Sequence, residues 1–324
     1  FGRMQASQVN YLWRTTTASG SYSNLVGDRV FVQLSVYYSG YQANRDSNAA
    51  RTPSSTSNTI KEFGLRGLGT YYTNSRDLCM FGFDFGFPTI NYKLINLAGK
   101  PLEFNDSYVN GIAWFRYQAH LGRWLLDVGI HDDFGSLVAG EAGLQSLQPR
   151  VDVSYELDGN WKVKWAIGSC SQRIVTLNNE DEVMSIFDVW IKIPAKLPVQ
   201  KANHVILGLN GNVNDATSLK IESYFKNYTS LFIYNRNKRL AGDPDYITGT
   251  GHSYGAEALL RTRVWGIDLY GAYALSWTRI DDGSSEYYPQ YDRRHNLNLL
   301  ATAHPLTDMD VTLRWAYGSG LPYT

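Results

Sequence analysis

Cysteine is scarce in this chain: Cys79 and Cys170 are the only two among 324 residues. Nothing in their spacing suggests a disulfide framework. Each lies inside a strand-like segment, where it reads as a small apolar residue, buried or facing lipid. An excess of charge is also missing, since Lys plus Arg and Asp plus Glu stand at 30 each. That balance leaves no electrostatic footprint for nucleic acid or a strongly acidic partner. No apolar run reaches about 18 residues, which excludes a helical membrane span. No amphipathic helix of ordinary length is found either. The chain opens on Phe1 without a signal sequence and is expected to be processed, or a piece of something longer.

Aromatics are plentiful, at 14% of residues with 23 Tyr and 9 Trp. Both side chains favour boundaries between apolar and wet surroundings, membrane interfaces included. The clearest pattern runs from Leu147 to Gly168. Val151, Val153, Tyr155 and Leu157 alternate with Arg150, Asp152, Ser154 and Glu156, and Trp161, Val163, Trp165 and Ile167 alternate with Lys162, Lys164 and Ala166. Between them Asp158-Gly159-Asn160 is turn chemistry that tolerates positive φ. Because successive strand side chains point to opposite faces, this hairpin has one apolar and one charged face.

The pattern recurs at about 6–16, 29–39, 58–72, 78–87, 107–119, 124–131, 149–157, 161–170, 202–210, 217–228, 252–262, 267–279, 293–303 and 309–318. Most of these fourteen segments approach the ~9–11 residues that cross a bilayer as a tilted strand. Short connections at 73–77, 120–123, 157–160, 211–216, 263–266 and 304–308 alternate with long, polar ones at 40–57, 88–106, 131–148, 171–201, 229–250 and 280–292. A soluble sandwich has no reason to keep every short turn at one end. An outer-membrane barrel does, with short periplasmic turns and long extracellular loops. The expected fold is all-β, a transmembrane antiparallel meander barrel in the outer membrane of a Gram-negative bacterium, its polar face lining a wet lumen.

Several stretches resemble one family, the TonB-dependent outer-membrane receptors. Phe1-Gly2-Arg3-Met4-Gln5-Ala6-Ser7-Gln8 is similar to an early barrel strand. Leu147-Gln148-Pro149-Arg150, with Trp161 and Gly168, resembles the family's "PR … Y … W … YG" hairpin, Ile167 replacing the usual aromatic. Pro198 to Gly208 followed by Glu222 to Tyr228 looks like its next hairpin, and Tyr254-Gly255-Ala256-Glu257, Tyr291 to Leu297 and Tyr317 to Thr324 also match in order. The resemblance implies a barrel of roughly twenty-two strands, closed by an N-terminal plug through which TonB acts. Residues 1–324 are thus expected to be a partial barrel of about fourteen strands, lacking the plug and the last strands.

The implied function is TonB-dependent uptake of a scarce, bulky solute such as a ferric siderophore, cobalamin or glycan, with no cofactor, metal or catalytic residue. The partners are outer-membrane lipid, TonB through the plug, and the transported ligand. The alternative is a passive channel of about fourteen strands, porin-like or fatty-acid-conducting, sealed by pairing Val9–Thr16 with Met309–Gly318. As ligand contacts the loop aromatics Trp190, Tyr234, Tyr287 and Tyr288 stand out, since rigid rings give large contact area at small entropy cost. Girdle or loop packing is the plainer reading of each.

Other motifs are weaker. Gly251-His252-Ser253-Tyr254-Gly255 fits a nucleophile elbow, with Asp281 or Asp292 and His295 downstream. The elbow needs a buried strand before Ser253 and a helix after it, and an alternating strand follows instead. His131-Asp132-Asp133 could be a metal site or an acid–base dyad, or a solvated rim cluster. Gly64-Leu65-Arg66-Gly67-Leu68-Gly69 has no helix after it for dinucleotide binding and suits a strand packed closely on its neighbour. Glu180-Asp181-Glu182 reads as solvated loop surface, and Asp292-Arg293-Arg294 as rim pairing or an anion contact.

Overall fold

The computed structural model describes residues 9–47, 55–95, 101–134, 146–177, 189–194, 196–235, 238–240, 242–244 and 246–322. Its strands are β1 (Val9–Val26), β2 (Val30–Ser47), β3 (Ser55–Tyr72), β4 (Leu78–Ile95), β5 (Pro101–Ser107), β6 (Asn110–Leu121), β7 (Trp124–Asp133), β8 (Ser146–Asp158), β9 (Trp161–Gln172), β10 (Ile174–Leu177), β11 (Val189–Lys192), β12 (Gln200–Asn214), β13 (Thr217–Tyr234), β14 (Tyr246–Val264), β15 (Ile267–Asp281), β16 (Glu286–Tyr287), β17 (His295–Leu306) and β18 (Met309–Gly318). Among the described residues there is no helix.

Fourteen strands follow each other in chain order along one hydrogen-bonded path, from β1 to β4, through β6 to β9 and β12 to β15, to β17 and β18. They match the fourteen segments expected from periodicity one for one. The short strands β5 and β16 pair with β4 and β15, and β10 pairs with β11 as a separate hairpin. All four sit inside connections read from the sequence as long loops. Among the described residues the path ends on β1 and β18, each with one paired neighbour, so it is an antiparallel meander that does not close on itself.

Two expectations need correction. The strands are longer than periodicity suggested: β1 to β4 each have 18 residues and β14 has 19. The β2–β3 ladder, for example, continues to Asp46 opposite Ser55. Around Gly40-Tyr41-Gln42-Ala43-Asn44-Arg45 both faces turn polar, so the alternation fades while the backbone keeps pairing. The same fading hid residues 17–26 of β1 and the tight turn after it, where Gly27 has φ 63°. At 158–160 the turn does not use positive φ. Asp158 closes it instead, its carboxylate accepting the N–H groups of Asn160 (2.9 Å) and Trp161 (2.8 Å).

By contact density the chain divides into two compact units, one of Phe1–Phe115, His131–Leu147 and Gln172–Pro198, the other of Arg116–Ile130, Gln148–Ser171 and Val199–Thr324. In the first, Leu34, Val36, Phe63, Phe81 and Phe87 stand exposed on one face. A Cβ on Gly67 or Gly69 would sit 2.3 or 2.4 Å from the ring of Phe83 or Phe81, so these glycines make room for the rings. On the opposite face Tyr37 Oη lies 3.0 Å from Glu62 and 3.1 Å from Asp84, and Arg66 Nε donates to Asp84. In the second unit Val205, Phe225, Leu260, Leu299, Leu313 and Trp315 stand exposed on the apolar face. The other face carries Lys220, Glu222, Glu257, Tyr270, Asn296 and Asn298 around a recess of about 230 Å³. Both cysteines are free.

Candidate ligand-recognition site at the long connections

In the first unit the connection from β9 to β12 does not stand away from the sheet. β11 lies against β3 and β4, on the face that carries Asn58 and Glu62. Asn58, fully buried, is the clamp. Its amide donates to the carbonyls of Trp190 (3.1 Å) and Asn91 (3.4 Å), and its Oδ1 accepts the Trp190 N–H (3.2 Å). Arg173, just ahead of β10, donates from Nε to Asp133 Oδ2 (2.9 Å) and from Nη2 to the Asp133 carbonyl (3.3 Å). Its own carbonyl accepts the Ile193 N–H at 2.8 Å. Lys192 lies 3.6 Å from Asp106 and 4.6 Å from the ring centre of Tyr108. Burial, then the charge of Glu62, pushes the Tyr108 phenol well above its ordinary range. Val175, Ile191 and Ile193 are buried beneath this polar frame. The two strands β10 and β11 are thus tied to the sheet by side-chain hydrogen bonds and ion pairs as well as by buried apolar contacts.

In the second unit the connection from β15 to β17 folds over the apolar side. Tyr288 has Arg279 over its ring at 4.8 Å and Arg294 at 4.4 Å, and Arg294 also lies 5.6 Å from the ring of Trp277. Arg279 donates to Tyr288 Oη (2.7 Å) and to Glu286 (2.8 Å). The hydrogen bond from Arg294, aided by Arg279, lowers the Tyr288 phenol below its ordinary value. Asp292 is buried, accepts the Thr278 N–H at 2.8 Å and lies 3.1 Å from Arg294 Nε. Below this layer Tyr254 stacks on Trp277 at 5.3 Å, and His252 stacks on Phe225 at 6.5 Å and on Tyr254 at 6.2 Å.

The four aromatics singled out as ligand contacts are thus placed separately. Trp190 is half-buried in the first unit, its backbone fixed by Asn58. Tyr287, half-buried, pairs with Ile280 in the second unit. Tyr288 stands a residue away with two guanidinium groups against its ring. Tyr234 ends β13 opposite Tyr246, and its side chain lies outside the described residues. The acidic run Glu180 to Glu182 also falls outside them. Sequence reasoning missed Asn58, Arg173, Lys192, Trp277 and Arg279. Arg173 and Asp133 are 40 residues apart, and no local pattern joins them.

The remaining motifs resolve structurally. Ser253 lies on β14, and its hydroxyl is 2.9 Å from that of Thr278 rather than from an imidazole. His295 Nδ1 instead meets Tyr273 Oη at 2.8 Å. Asp133 is committed to Arg173.

No family model and no curated protein sequence matches the chain. Solved structures do. The ferric-catecholate import receptor Fiu from E. coli K12 superposes with TM-score 0.66 at 14% identity, covering 95% of this chain and 53% of Fiu. The ferric citrate transporter FecA gives 0.70 at 11% identity, covering 95% and 49%. The siderophore receptor PirA from Pseudomonas aeruginosa gives 0.61 at 12%, covering 94% and 63%. These neighbours are TonB-dependent receptors. The chain has the barrel fold of the TonB-dependent receptors. It spans about half the length of the receptors whose fold it shares.

Proposed function

We propose that this chain is the barrel part of an outer-membrane receptor that takes up a scarce, bulky solute when TonB acts through a plug domain. One observation carries the reading. Large apolar side chains stand exposed along one face of strand after strand, Leu313 at 71% and Phe63 at 54%, while the other face holds charges. In water so extended an apolar surface is a liability; against hydrocarbon it is the stable arrangement.

The polar face is densely charged. Glu222 and Glu257 are directly opposed on β13 and β14, and Lys220, 2.8 Å from Glu222, offsets the like-charge repulsion across that ladder. At the rim, Trp190 and Tyr287, with Tyr234 at the top of β13, are the proposed solute contacts. The solute itself is of the broad kind named above, a ferric siderophore, cobalamin or glycan. Fiu and FecA handle ferric catecholate and ferric citrate, and OprC is a copper transporter.

The test is uptake of labelled ferric siderophores, cobalamin and glycans by cells making the full-length protein, with and without TonB. Entry that stops when TonB is removed is expected. Entry that continues unchanged would support the passive channel and overturn the receptor.

A further inference from the structure

At the short-turn end of the second unit one histidine stands between two acids. His304 Nδ1 lies 2.7 Å from Asp310 Oδ1 on β18, and its Nε2 lies 3.0 Å from Asp268 Oδ2 on β15. An ionised carboxylate only accepts hydrogen bonds, so both contacts are satisfied only when both ring nitrogens carry hydrogen. The geometry therefore selects the imidazolium. Arg263 on β14 lies 3.5 Å from the other oxygen of Asp268, Oδ1. Four neighbouring strands thus share one row of alternating charge, through Arg263, Asp268, His304 and Asp310.

The backbone gives a reason for a side-chain fastening at this place. The β17–β18 ladder shifts register between Ala303 and Leu306, three steps on β17 standing against two on β18. His304 and Pro305 occupy that bulge, and a proline has no N–H to offer the neighbouring strand. Beside it the hydroxyls of Thr302 and Thr312 meet at 3.1 Å. The other charged groups at this end are Arg261, layered on Tyr270 at 5.6 Å, Asp308 in the turn and Arg314 on β18.

We propose that His304 is a proton-operated clasp, holding the bulged end of β17 to both β15 and β18 as the imidazolium and freeing one side when neutral. A neutral ring keeps one N–H, and its other nitrogen then turns a lone pair toward a carboxylate oxygen. Asp268 is the partner released, because Arg263 is already beside it. The neutral ring keeps its hydrogen on Nδ1 and stays with Asp310. The hydrogen bond with Asp268, then that with Asp310, raises the His304 pKa above the ordinary 6.5. A histidine raised in this way contributes fully below 6.5 and loses that contribution as pH rises through the folded value. Both acids are exposed, so the effect is confined to the turn.

The experiment uses the full-length protein in detergent micelles, with isotope-labelled histidine, followed by NMR over about pH 5 to 9. Both His304 ring nitrogens should carry hydrogen at the acid end, and Nδ1 alone once the ring is neutral. Amide protection at Leu306 and Thr307 should fall roughly two- to fivefold through the same titration, the scale of exposed ion pairs. His304→Gln should abolish that dependence, and Asp268→Asn should bring the titration back toward the ordinary value. Titration of wild-type His304 at or below 6.5 would overturn the clasp, as would protection at the turn that ignores pH. Hydrogen retained on Nε2 in the neutral ring would overturn it too, by placing the release at Asp310.

Discussion

Two long connections in this chain solve the same problem in opposite ways. The one between β9 and β12 doubles back onto the polar face of β3 and β4, and is held by a buried ion pair and an asparagine clamp. The one between β15 and β17 lies over the apolar side and is held by flat layers of guanidinium and aromatic rings. Buried charges must be paired, so the first is rigid and intolerant of single changes. Exposed layering contributes little per contact, so the second can exchange partners. Rigidity thus belongs to the connection fastened by buried groups, and adaptability to the one fastened by exposed layers.

The contrast can be broken most directly at Arg173. Arg173→Ala removes the guanidinium paired with the buried Asp133 carboxylate and should cost about 3–5 kcal/mol, read as a lower temperature for heat-induced loss of the folded band in detergent. Asn58→Ala should cost about 1–3 kcal/mol by removing the buried amide that serves the Trp190 N–H and the Trp190 and Asn91 carbonyls. Its mark should be faster proteolysis between β9 and β12 while the rest of the chain stays protected. At the second connection Glu286→Gln should leave thermal stability unchanged within error, and a large loss there would erase the distinction. The smallest effect concerns acid. Asp243 accepts the N–H groups of Leu240 (2.8 Å) and Arg239 (2.9 Å), the Leu240 bond contributing most to holding its carboxyl below the ordinary 3.8. A lowered carboxyl stabilises the fold above its unfolded value and loses that contribution as pH falls through the folded one. Amide exchange at Leu240 should therefore rise only at pH below the ordinary carboxylate range, and Asp243→Asn should remove the dependence.

Much of the fold was legible because hydrocarbon on one side and water on the other impose a period of two on the chain. Val311, Leu313, Trp315 and Tyr317 against Asp310, Thr312 and Arg314 is such a record, and the ladder with β17 confirms the alternation. Gly67 and Gly69 were legible as close-packing positions for the same reason, since rings stand on that face. The extensions were hidden because above the apolar band both faces are wet, and Gln42 or Asn44 can point either way. The clamp was hidden more deeply. Asn58 opens the segment read as a strand, just after a Ser/Thr/Asn run read as loop, and its partner is far along the chain.

That separation has a kinetic side. Asn58 and Trp190 are 132 residues apart, and the hairpin they join can dock only once the neighbouring strands offer it a finished wall. Ladders between adjacent strands close small loops and form early, whereas this fastening must wait for a large one. The last event in assembling this region is thus the docking of this hairpin, and a chain stalled before it would display a finished wall with the polar face of β3 and β4 still uncovered.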